Sequence, residues 1–130
     1  MDSLFLNADL DIFSSEQLDA LIEEIGDRAT LLHGGPFSED QPYVARFEID
    51  KGDEQKTPDN LALAFCELIE SLSSNSRLRW DNTIQRVLDL GYELHASTRH
   101  VQGSIEPATM QRLANLGIQL AWTFYQRSPD

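Results

Sequence analysis

Two hydrophobic periods alternate along this chain, and their order restricts the fold more than any single motif does. Apolar residues two apart mark strands, and apolar residues three and four apart mark helices. Leu4, Leu6, Ala8 and Leu10 face one side of the first run, with Phe5, Asn7 and Asp9 on the other, which predicts a half-buried strand over 4–10. Ser14 then stands as a helix cap, Gln17 completes a capping box, and Phe13 is placed to staple onto Leu18. Leu18, Leu21, Ile22 and Ile25 follow at helical spacing, and Gly26 supplies a left-handed stop.

The pattern continues with a candidate strand over 29–33, ended by Gly34-Gly35-Pro36 and a polar loop to Pro42. Tyr43, Ala45, Phe47 and Ile49 alternate against Val44, Arg46 and Glu48, predicting a third strand over 43–49. After an exposed loop over 50–56, Thr57 caps and Pro58 opens a second long helix, whose Leu61, Phe65, Leu68 and Leu72 line one face beside Ala62 and Ile69. Residues 71–76 are expected to fray into a loop. Around Trp80 the two periods compete. Five matches, Leu88, Leu90, Tyr92, Leu94 and Ala96, favour a short helical turn followed by a long strand, which also accommodates Gly91. A third helix starts at Pro107, capped by Glu106 or a neighbour, with Ile105 placed on Met110 and Gly117 as its stop. Ile118, Leu120, Trp122 and Phe124 alternate in a last strand.

The resulting order is β-α-β-β-α-β with an added α-β, and its first six elements follow the split-βαβ order of ferredoxin-like folds. The expected architecture is one α+β domain over 1–130, an antiparallel-rich sheet with helices on one face. At 130 residues the chain can bury roughly two-thirds of the surface its unfolded form exposes.

Charge is distributed unevenly over this frame. Seventeen of the 22 acidic residues lie in the first 70 positions against four basic ones, a formal −13, whereas the last 60 carry +1. Apolar content is 41% and charged content 25%, close to globular averages, so the acidity belongs to a folded surface rather than to a disordered tail. Such a field repels nucleic acid and anionic lipid and attracts a basic protein. The start Met1-Asp2-Ser3 lacks a basic region, no apolar run approaches the ~18 residues of a membrane span, and Cys66 is alone, so a cytoplasmic, non-membrane protein is expected.

The run Trp80-Asp81-Asn82-Thr83-Ile84-Gln85-Arg86-Val87-Leu88-Asp89-Leu90-Gly91-Tyr92-Glu93 resembles a family of small bacterial domains of unknown function. Those domains carry a Trp, an Arg and an Asp-Ile/Leu-Gly-Tyr/Phe motif at similar spacing, then a helix and a closing strand ending in Tyr, as residues 105–125 do here. The resemblance implies the fold and no catalytic residues. A looser analogy links proteins of this size and character to immunity proteins that neutralise bacterial toxins.

Catalytic and metal signatures fail on spacing. His95 and His100 would point to opposite faces of a strand, and no His-Glu-x-x-His or Cys-x-x-Cys pair exists, so no metal site is expected. Asp9-Leu10-Asp11 and Asp50-Lys51-Gly52-Asp53-Glu54 lack the ligand spacing of calcium loops. Cys66 sits mid-helix near Glu67 and Glu70, where negative charge raises a thiol pKa and disfavours a nucleophile. Gly34-Gly35-Pro36 lacks the Lys and helix start of a phosphate loop. No cofactor and no enzymatic activity are expected.

Two non-enzymatic sites are left. Glu16, Asp19 and Glu23 have no basic residue at i+3 or i+4, Glu24 of the same helix has only Arg28 at i+4, and Asp50, Asp53 and Glu54 add a second acidic group. Together they predict docking of a basic protein, a toxin or nuclease, whose encounter they would steer. The alternative is a small-ligand-binding regulatory domain with a site around Trp80, Arg86, Asp89 and Tyr92, in which Arg86 pairs with an anionic ligand or, structurally, with Asp89.

Overall fold

The computed structural model describes residues 4–36, 42–52 and 55–127. Five strands and four helices follow one another as β1 (Phe5–Ser14), α1 (Asp19–Ile25), β2 (Thr30–Pro36), β3 (Tyr43–Glu48), α2 (Pro58–Glu70), α3 (Ser74–Asp81), β4 (Gln85–Leu94), α4 (Pro107–Asn115) and β5 (Gln119–Gln126). The strands form one sheet in the order β2-β3-β1-β4-β5. The first four lie antiparallel to their neighbours, as a split βαβ arrangement requires, and β5 is added parallel to β4 through the α4 crossover. The fold is therefore α+β. No helix among the described residues is long and apolar enough to cross a membrane.

One hydrophobic cluster holds the layers together. Ala8, Leu10 and Ile12 of β1, Ala45 and Phe47 of β3, and Leu88, Leu90 and Tyr92 of β4 project from one sheet face into side chains of all four helices, among them Leu21, Ile25, Phe65, Ile69, Trp80 and Leu113. Strand alternation then assigns the intervening residues to the opposite face. A bulge between Phe5 and Asn7 returns Phe5 to the core side, where its ring lies 5.4 Å from that of Tyr92.

The local stop and start signals act as their chemistry dictates. Thr57 accepts the Asn60 N–H at 3.1 Å, Pro58 occupies the first turn of α2, and Gly26 and Gly117 take φ of +55° and +70° where α1 and α4 end.

Three expectations are corrected. Ser14 is not a helix cap: it is the last residue of β1, paired with Tyr43, and its Oγ accepts the Glu16 N–H at 3.1 Å, while α1 begins at Asp19 with no side-chain cap. Because β1 lies between β3 and β4, both edges of residues as late as Phe13 are taken up by ladders, and the strand outcompetes a first helical turn. The glycines at 34 and 35 do not end β2, which runs on to Pro36; a strand at a sheet edge tolerates a residue without an N–H. Residues 74–81 form a complete helix rather than a frayed loop. Its first turn is capped by Ser73 and, from α1, by Glu24, which accepts the Ser73 N–H at 2.7 Å and the Ser76 hydroxyl at 2.9 Å.

Candidate functional site

The helix-free face of the sheet gathers acidic side chains from three strands. Asp9 on β1 lies opposite Glu48 on β3 and opposite Asp89 on β4, so three carboxyl side chains stand side by side across the sheet. Residues directly opposed on neighbouring strands have Cβ atoms only ~5 Å apart, and like charges there repel. In the adjacent row Asp11 is clamped by Arg46, with Nε donating to Oδ1 at 2.7 Å and Nη2 to Oδ2 at 3.3 Å. Glu93 lies further along β4, with Arg127 Nε at 3.6 Å. Asp89 accepts the Thr123 hydroxyl on both oxygens, at 2.8 and 2.9 Å.

Asp9 takes the consequence of this crowding. Burial pushes its carboxyl from 3.8 up to about 6, and Glu48, Asp11 and Asp89 add to the rise while Arg46 opposes it. Its Oδ1 is buried with no hydrogen-bond partner. Arg46 in turn is held more firmly protonated by its hydrogen bond to Asp11 and by the charges of Asp11, Asp9 and Asp89, against the effect of burial. The face is a negative surface with one guanidinium bound into it and one carboxyl titrating near neutrality. Among the described residues no three His, Cys, Asp or Glu side chains are arranged to hold a metal ion.

The acidic residues expected to dock a partner are dispersed differently. Glu16, Asp19 and Glu23 are exposed on or just before α1, in the helical layer and therefore on the side opposite the carboxylate row. Glu24 is committed to capping α3, and its hydrogen bonds to Ser73 and Ser76 hold its carboxyl below the usual range. Asp50 is exposed after β3, and Asp53 and Glu54 lie outside the described residues. The sheet-face acids could have been found from strand parity, since Asp9 and Glu48 sit on the polar sides of their runs. Their convergence could not, because it depends on which strands are neighbours.

The alternative site does not assemble. Arg86 and Asp89 are three residues apart on one strand, so they point to opposite faces and do not pair. Trp80 is fully buried, donating Nε1–H to the Leu116 carbonyl at 3.0 Å. Arg86 lies 5.5 Å from the Trp80 ring centroid and donates to the Trp80 carbonyl at 3.0 Å, the Thr83 hydroxyl at 2.7 Å and the Gly117 carbonyl at 3.2 Å. It closes the ends of α3 and α4 onto the sheet, leaving little of its fork for a ligand. Of the expected four, Tyr92 lines the main apolar cleft among the described residues, and Trp80, Arg86 and Asp89 do not. That cavity, about 410 Å³, is an open apolar cleft between the sheet and the 101–105 segment, with Met110, Trp122 and Phe124 at its sides.

Cys66 is buried in α2 with its thiol pushed up to about 11, by burial first and Glu70 second, so the nucleophilic thiolate is suppressed. Comparison of the chain with protein-family models, curated proteins and solved structures returned no match.

Proposed function

We propose that this protein is a non-enzymatic binding module that takes a basic protein partner, in the manner of an immunity protein neutralising a basic toxin or nuclease. The observation that carries the reading is the carboxylate row Glu48, Asp9 and Asp89 on the helix-free sheet face, beside the Asp11–Arg46 pair. A lysine or arginine entering this face would find carboxylates already held by the sheet. The acids of α1 then extend the attractive field around the molecule and raise the encounter rate.

The test is capture of basic proteins from the native lysate at low salt and at high salt, followed by association kinetics with the captured protein for two charge variants. Glu48→Lys, on the sheet face, should raise the dissociation rate and slow association. Asp19→Lys, on α1, should slow association at low salt and leave dissociation unchanged. Equal effects from the two variants would refute the sheet face as the docking surface.

A second reading, a small-ligand-binding regulatory domain, is supported by the cleft beside Tyr92. A stoichiometric apolar molecule retained through purification would favour it.

A further inference from the structure

The sheet has two edges, and only one is protected. Along β2 the edge is interrupted by a register shift between Leu31 and His33, by Gly34 and Gly35, and by Pro36, all features that discourage another strand from adding. β5 has none of them. It pairs with β4 in unbroken register from Gln119 to Gln126, and its sequence Gln-Leu-Ala-Trp-Thr-Phe-Tyr-Gln contains no charge, glycine or proline. The Arg127 N–H donates inward to the Leu94 carbonyl at 2.7 Å, so alternation turns the backbone groups of Leu120, Trp122 and Phe124 outward. Trp122, Phe124 and Tyr125 are 56, 53 and 52% exposed along this strand. An edge of this kind, with apolar side chains and outward backbone groups that no strand among the described residues pairs, is a template for strand addition.

We propose that β5 pairs antiparallel with β5 of a second copy of this chain, joining two sheets into one. Charge permits a second copy here. Two molecules of formal charge −12 repel across α1 and across the carboxylate row, and the uncharged β5 lies in the half that carries +1, where two copies approach at least cost. A basic partner would gain nothing from a strand without charge. The two-fold geometry is also satisfied: a register centred on Trp122 sets it against its own counterpart and sets Leu120 against Phe124 on the helix side. Ala121 then opposes Thr123 on the other side, and every cross-strand pair is apolar or neutral. Aromatic side chains bury ~150–250 Å² each, so three half-exposed ones supply roughly 300 Å² per copy. With Met110 and the paired backbones the contact reaches about 1,000 Å² in total, the lower limit of a specific interface.

Sedimentation velocity across the micromolar range tests the mass, and amide hydrogen exchange across the same range tests the surface. A concentration-dependent dimer is expected, together with slowed exchange at the Leu120, Trp122 and Phe124 amides and a blue shift of Trp122 emission. Trp122→Lys and, separately, Phe124→Lys should weaken the dimer by on the order of 100-fold, because each two-fold contact loses the residue twice. Circular dichroism confirms that each variant is folded, and the wild-type exchange experiment does not depend on either. A wild-type chain that stays monomeric at high micromolar concentration overturns the proposal and leaves the edge to another protein's strand. So does a dimer that persists in both folded variants or forms without protecting the β5 amides.

Discussion

Replacing Asp9 by asparagine should stabilise the protein, although it removes a half-buried carboxylate from the middle of a sheet. A rise from 3.8 to about 6 corresponds, at about 1.4 kcal/mol per pH unit, to roughly 3 kcal/mol against the ionised native state. Asp9 is only half-buried, and solvent screening reduces the figure to about 1–2 kcal/mol. Below pH ~4 the carboxyl is protonated in folded and unfolded chains alike, and the penalty is absent. It grows between pH ~4 and ~6, where the native state binds the proton more tightly, and is complete above that range. The amide introduced at this position would also bring N–H donors to Glu48 and Asp89, which flank it in the ladder. Urea unfolding of wild type and Asp9→Asn at pH 8 should therefore show a gain of about 1–2 kcal/mol, near 3–10 °C in Tm for a chain of this length. At pH 4 the gain should nearly vanish. A loss of stability at pH 8, or a gain of the same size at both pH values, would show that Asp9 is not held by like charge and burial.

Three further outcomes are expected. Glu24→Gln should lower Tm at pH 7 by weakening the cap on α3; because the Glu24 pKa is depressed in the fold, the difference from wild type should disappear as the pH falls through the acid range, read by circular dichroism melts. Arg86→Ala should cost about 2–3 kcal/mol in urea unfolding, since charged hydrogen bonds to Trp80, Thr83 and Gly117 are lost, and Arg86→Lys should recover only part because it lacks the fork. Cys66 should resist a disulfide reagent at pH 8 in the native protein and react fully once urea unfolds it; rapid native labelling would contradict its burial.

Much of the fold is legible without coordinates because its signals are local. Thr57-Pro58, Gly26 and Gly117 act within one turn of their own positions, and the apolar alternation of Leu88, Leu90 and Tyr92 is imposed by a single strand. Strand parity also separates Arg86 from Asp89, a separation that a reading of the two as one pocket overlooks. Ser14 shows the limit of local rules. Its capping box is well formed in sequence, but two neighbouring strands hold the backbone just before it, and no inspection of residues 13–18 reveals that competition.

The candidate site divides in the same way. The sequence by itself determined the excess of acid in the first 70 residues, the strands on which Asp9, Glu48 and Asp89 lie, and the polar side of each strand, because composition and period are properties of the chain. Only the tertiary structure decided that β1 stands between β3 and β4, which turns three distant carboxylates into one row. It also decided that Glu24 caps a helix 49 residues away and that β5 is an edge strand of the sheet. Through-space electrostatics and hydrogen bonding depend on distance between side chains, and that distance is set by strand order and packing rather than by separation along the chain.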